Sequence, residues 1–87
     1  MSVTVQLTYD MAREVGQNRL EISGARTVAD VVRLTREKFP GDTTQFDKLS
    51  RVAALAVNGV LIHHRRGKKT AVEDGDLVAF VKAAAGG

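Results

Sequence analysis

Thr27-Val28-Ala29-Asp30-Val31-Val32-Arg33-Leu34-Thr35-Arg36-Glu37-Lys38-Phe39-Pro40-Gly41 reads as one helix with both ends marked. The Thr27 hydroxyl can accept a bond from a free amide of the first turn, and Asp30, three residues on, sets a carboxylate at the positive end of the helix. Val28, Val31, Val32, Thr35 and Phe39 recur at three- and four-residue spacings and define one face, while Arg33, Arg36 and Glu37 point elsewhere. Pro40-Gly41 ends the element, because proline has no amide to donate and clashes with the preceding turn. A helix with a single apolar stripe needs a sheet to lie on.

Both flanks supply strands. Val3, Val5, Leu7 and Tyr9 alternate with Thr4, Gln6 and Thr8, a period of two that puts four apolar side chains on one face of a first strand. After the charges of Asp10, Arg13 and Glu14, Gly16-Gln17-Asn18 supplies turn chemistry, and Leu20 and Ile22 resume the alternation to complete an N-terminal hairpin. Beyond the helix, the polar residues 42–50 predict a loop or short helical turn that tucks Phe46 and Leu49 inward. Val52-Ala53-Ala54-Leu55-Ala56-Val57, the positive-φ pair Asn58-Gly59 and Val60-Leu61-Ile62 form a second hairpin, whose small residues suit close packing. Asp74-Gly75-Asp76 then turns the chain into a last strand from Leu77 to Val81. The order strand, strand, helix, strand, strand, strand predicts an α+β domain with the β-grasp (ubiquitin-like) fold. Its mixed sheet would have about five strands, the first and last as central neighbours, with one main helix packed on one face. That scaffold alone names no function.

With 87 residues the chain can build one core but not also a deep enclosed active site, which leans toward a binding or carrier module. The absence of cysteine excludes disulfides, a thiolate nucleophile and a Cys-based zinc site. Residues 1–5 lack a basic stretch leading into an apolar one, and no apolar run approaches the roughly 20 residues that span a bilayer, so the expectation is a soluble, untargeted, cytoplasmic protein. No Ser, His and Asp set, Gly-rich phosphate loop or isolated carboxylate pair is evident, so this chain is read as non-catalytic; Asp10 and Glu14 are read as surface charges.

After Lys82 the sequence runs Ala83-Ala84-Ala85-Gly86-Gly87. Nothing there can pack strongly, so residues 1–82 are read as the domain and 83–87 as a flexible tail. Residues without a Cβ pass close to the walls of a narrow channel and adopt any φ. A carboxylate at Gly87 could thus be threaded to the α-phosphate of ATP, adenylated, and attacked by a sulfur donor to leave a thiocarboxylate, with Gly86 and Ala85 lining the thread.

This ending, with the rest of the chain, resembles the MoaD/ThiS family of sulfur carriers, and most closely the MoaD-like small subunit of molybdopterin synthase. Tyr9 with Arg13-Glu14 and Gly16 is similar to that family's pattern after the first strand, as are Thr27-Val28 with Val31, the turns Val57-Asn58-Gly59 and Asp74-Gly75-Asp76, and the spacing from Ala79-Phe80 to the two glycines. The resemblance implies a ubiquitin-activating-type adenylyltransferase that uses ATP and Mg, a sulfur donor, and a synthase large subunit or other sulfur acceptor as partners, with no permanently bound cofactor. It also implies a partner-binding surface near Tyr9 and Val81; Leu61 is the third candidate for that patch, although core burial is its favoured reading. The family's usual Pro-Pro before the diglycine is replaced by Lys82 and Ala83, which leaves the pathway open among molybdopterin, cysteine, thiazole and thiolated tRNA. A protein modifier joined to lysines through Gly87 needs the same tail.

The net charge of +3 is modest, but Arg65, Arg66, Lys68 and Lys69 gather beside His63 and His64. Such a run is most often a solvated loop; docking of an acidic partner protein is the better functional reading. RNA trails because no aromatic residue is interleaved for base stacking. The adjacent histidines would face opposite ways on a strand and have no Asp, Glu or Cys close by, so no metal site is expected.

Overall fold

Strand β1 (Ser2–Gln6) buries Val3 and Val5, with Thr4 and Gln6 on its other face. The computed structural model describes residues 1–39, 41 and 43–82. The strand does not run to Tyr9. Thr8 instead caps helix α1 (Tyr9–Val15), its hydroxyl accepting from the Met11 amide at 3.2 Å, and Gly16 closes the helix at φ 86°. Tyr9 continued the alternation by coincidence, because the first helical position makes no demand on polarity. Met11 and Ala12 turn inward from this short helix. Strand β2 (Arg19–Ser23) then returns antiparallel to β1, with Ile22 opposite Val3 and Leu20 opposite Val5.

Helix α2 (Val28–Arg36) starts with the reciprocal cap its sequence predicts. The Thr27 hydroxyl accepts from the Asp30 amide at 3.3 Å, and the Asp30 carboxylate accepts from the amides of Arg26 at 3.0 Å and Thr27 at 3.3 Å. Those amides, Arg26 foremost, hold the Asp30 carboxyl below its ordinary value. At the far end the amides of Lys38 and Phe39 bond back three residues to Thr35 and Arg36. The last turn thereby tightens ahead of Pro40, which lies outside the described residues.

The polar stretch expected to be a loop or a single turn forms helix α3 (Thr44–Arg51). Thr43 gives it no side-chain cap bond. Tertiary contacts hold it instead: Phe46 is fully buried edge-on to Phe39 and Phe80, ring centroids 4.8 and 6.0 Å away, and Leu49 is partly buried, as expected of both residues. Asp47 also meets Arg36 of α2 through two hydrogen bonds, at 3.0 and 3.3 Å.

Strand β3 (Ala53–Val57) turns through Asn58 at φ 50° and Gly59 at φ 86° into β4 (Val60–Leu61). Ile62 was expected to extend β4 but opens a 3₁₀ turn (Ile62–His64), and a second turn (Gly67–Lys69) follows before strand β5 (Leu77–Lys82). The sheet order is β2-β1-β5-β3-β4, with β1 and β5 parallel at its centre and the other pairs antiparallel. This is the expected β-grasp architecture, with three helices where one main helix was foreseen. Val3, Val5, Leu20, Ile22, Leu55, Val57, Val78 and Phe80 form the inner face and share one core with Met11, Val28, Val31 and Phe46. Each such side chain contributes on the order of 1.5–3 kcal/mol by leaving water.

Candidate functional site

Because β1 and β5 are parallel, both finish at the same end of the sheet, where Lys82 lies opposite Ala53. The chain continues from Lys82 into the predicted tail, whose residues Ala85, Gly86 and Gly87 lie outside the described residues. What surrounds the exit is therefore the site to examine.

The outer face of the sheet carries no helix among the elements packed on the core. Its ladders align one row across all five strands: Arg19, Gln6, Ala79, Ala56 and Leu61. Beside that row, nearer the exit, Ala54 is opposite Val81. One half of this face is polar, with Arg19 donating to Gln6 at 3.4 Å and Thr4 to Glu21 at 3.2 Å. The other half is apolar and shallow, floored by alanines and bounded by half-buried Leu61 and by Val81, which is 44% exposed. Leu61 and Val81 thus share a face. Tyr9 does not sit in that row: it begins α1, is 76% exposed, and faces the Arg13 guanidinium 5.8 Å from its ring centroid, beside Gly16, Gln17 and Asn18. Ala54 and Ala79 are half-buried on this face and Ala56 is buried; the run of small residues after Val52 was the sequence signal for Ala54 and Ala56.

At the opposite end two turns are tied together. Asn58 donates through Nδ2 to Asp76 at 2.9 Å, and its Oδ1 accepts from the Leu77 amide at 2.9 Å. Asp76 also accepts from the Glu73 amide, and Asp74 from the Ser2 amide, both at 2.8 Å. The turn residues legible in the sequence here fix the hairpin register rather than a reactive group.

Arg65, Arg66, Lys68 and Lys69 are all exposed, on a segment held at both ends. Ile62 packs against the core, and residues 70–72 bond to the start of α2 through Val28 N–H to Thr70 O at 3.0 Å and Val72 N–H to Arg26 O at 2.9 Å. Within the segment, buried Thr70 accepts from the Arg66 amide at 3.2 Å, and its own amide donates to Gly67 O at 3.0 Å. Its cations are therefore displayed from an ordered double turn. His63 and His64 do not lie on a strand. They occupy the first 3₁₀ turn, rings 4.1 Å apart and tilted by 47°. Among the described residues no three His, Asp, Glu or Cys side chains gather as a metal site, and no helix is long and apolar enough to cross a membrane.

The sequence model described as the ThiS family matches residues 5–87. No curated protein sequence matches the chain. Among solved structures, the small archaeal modifier protein 1 from Methanosarcina acetivorans is similar at 22% identity and a TM-score of 0.82, covering 99% of this chain and 96% of that one. The CysO/BexX complex of Amycolatopsis orientalis includes a chain with 22% identity and a TM-score of 0.78, covering 98% of this chain and 99% of that one. In the complex of subunits 1 and 2 of molybdopterin-converting factor from Helicobacter pylori 26695, the matching chain has 22% identity and a TM-score of 0.67, with both chains fully covered.

Proposed function

The chain belongs to the ThiS family, and from that premise we propose that it is a sulfur carrier whose reactive group is the carboxylate of Gly87. The observation that carries this reading is that the family match extends through Gly86 and Gly87. The chemistry requires a partner to supply catalysis. An adenylyltransferase with ATP and Mg joins AMP to the carboxylate and releases pyrophosphate. A persulfide donor then displaces AMP, and a thiol cleaves the resulting acyl disulfide to leave the thiocarboxylate. The carrier itself holds sulfur and is non-catalytic, in the cytoplasm.

Docking uses the surface around the chain exit in this proposal. Leu61 and Val81 flank a shallow alanine floor that a partner can cover without reshaping the core, and Tyr9 offers a large exposed ring at the start of α1. Two of the similar structures are themselves complexes with a second protein, which supports a carrier that works by docking. For the destination, the sequence resemblance favours the large subunit of molybdopterin synthase, with cysteine, thiazole and tRNA thiolation as alternatives.

Intact mass spectrometry tests the proposal. Incubation with ATP, Mg²⁺, a sulfur donor and the activating enzyme should raise the mass by about 16 Da, the exchange of one oxygen for sulfur. Loss of Gly87 should abolish the gain, whereas no gain with any cellular activating enzyme would refute the reading. The name of the modifier protein from Methanosarcina acetivorans supports a second use of the same activated carboxyl, attack by a substrate lysine. Gly-Gly remnants on lysines of other proteins would establish that use.

A further inference from the structure

The sheet has two edges, and they are not alike. Strand β4 has two residues and leads at once into the 3₁₀ turns, whereas β2 runs for five and pairs only with β1. The phase of that pairing is fixed by the bonds that flank it, Leu7 N–H to Asn18 O at 2.9 Å and Gly24 N–H to Met1 O at 3.4 Å. In an antiparallel ladder, pairs that exchange bonds alternate with pairs that do not. Counting by twos from either flank makes Val5 with Leu20 and Val3 with Ile22 the bonded pairs. The Thr4 amide agrees, because it turns the other way and donates to Asp76 at 2.9 Å. Arg19, Glu21 and Ser23 therefore aim their amide and carbonyl groups away from β1, and among the described residues nothing bonds to them there. All three residues are exposed, and between this edge and α2 lies a cleft of about 300 Å³.

Charge selects what fits there. Arg19 and Glu21 stand on one face of the strand with buried Leu20 between them on the other. An antiparallel two-fold pairing about Leu20 sets Arg19 of each copy opposite Glu21 of the other. Moving the axis by one residue either way keeps outward groups together but sets Arg19 against Arg19 or Glu21 against Glu21. The contacts these side chains make within the chain, Arg19 to Gln6 at 3.4 Å and Thr4 to Glu21 at 3.2 Å, exhaust neither a guanidinium nor a carboxylate. We propose that a second copy of this chain adds its own β2 to this edge in the Arg19–Glu21 register. Both Arg19–Glu21 pairs then exchange main-chain bonds as well as charge. Charges on an edge usually guard against pairing, but an alternation that is its own complement admits one register and rejects its neighbours. One continuous sheet results, in which the Lys82 ends lie at opposite poles because the copies run antiparallel. Leu61 and Val81 lie toward the far edge of each sheet and stay uncovered. The contact spans about 10 Å of strand, which makes it weak and quickly reversible. It depends on no chemistry at Gly87.

Translational diffusion and amide shifts, followed by NMR on ¹⁵N-labelled protein from about 0.05 to 2 mM, test the proposal. The chain should dimerise toward the top of that range, with the largest shifts at the amides of Arg19, Glu21 and Ser23. Arg19→Glu and Glu21→Arg each set like charges opposite one another and should raise the dissociation constant about tenfold or more. Titrating one labelled variant with the other unlabelled should restore pairing to about the wild-type level, since every charge again meets its opposite. That recovery cannot arise from misfolding of either variant. Deleting Gly86 and Gly87 should leave dimerisation unchanged, which separates failure here from failure of the sulfur-carrier reading. A chain that stays monomeric throughout, single variants that dimerise like wild type, or mixed variants that do not pair would each overturn the proposal. So would shifts confined to Val60 and Leu61, at the other edge.

Discussion

The two faces of the central sheet are made by the same ladders and the same residues in alternation, yet they differ in side-chain volume. On the inner face β5 places Val78 and Phe80, and β3 places Leu55 and Val57, all buried against the helices. On the outer face the same strands place Ala79 and Val81, and Ala54 and Ala56. Large side chains sit where helices press and small ones on the other side, which leaves the outer face free for the docking proposed above. Substitutions should therefore separate folding from docking.

The largest expected effect lies on the inner face. Phe80→Ala removes the ring that meets Phe46 edge-on and should lower unfolding stability by about 3–5 kcal/mol, read by urea denaturation. On the outer face Val81→Asp should change stability by under about 1 kcal/mol. The same variant should lower kcat/KM for thiocarboxylation by the activating enzyme about tenfold or more. If it unfolded the protein instead, the division of labour between the faces would fail. A subtler test sits on the inner side of α2, where the Thr35 hydroxyl is fully buried without a hydrogen-bond partner. Thr35→Val keeps the shape and removes that polar group, so stability should rise by about 1 kcal/mol in the same denaturation assay.

The smallest effect concerns the solvated side of the helices. The hydrogen bonds from Arg36 hold the Asp47 carboxyl below its ordinary value. A lowered folded value means that the contribution is present above the unfolded value, near about 3.9, and is lost as pH falls through the folded one. Asp47→Asn should therefore flatten the fall of thermal stability below about pH 4, leaving the part due to Asp30, and should hardly matter at neutral pH because the pair is exposed.

Most of the sheet was legible because its signals are local. Alternation marked β1 and β2, Thr27 and Asp30 marked the start of α2, and Asn58-Gly59 marked a turn that only positive φ angles satisfy. The errors arose where tertiary context overrode a local pattern. Tyr9 kept the strand's rhythm while Thr8 had already capped a helix, and α3 is polar throughout except for the two side chains that anchor it. The early end of β4 was invisible for a different reason: Val60-Leu61-Ile62 carries no local mark that its third residue opens a 3₁₀ turn. For the chain end, the sequence suggested the chemistry proposed for Gly87, and the described structure ends at Lys82, the last residue of β5.

The parallel pairing of β1 with β5 also has a mechanical side. Its register sets Thr4 beside Leu77, Val5 beside Val78 and Gln6 beside Ala79, with the start of β1 and the end of β5 at opposite poles. A partner that grips the tail and pulls, against a body held near Ser2, loads these strands lengthwise, so their bonds are strained together in shear. Peeling, which breaks bonds one at a time, is not available in that direction. A pull on β5 from its Lys82 end is thus the direction in which this central pairing is loaded in shear.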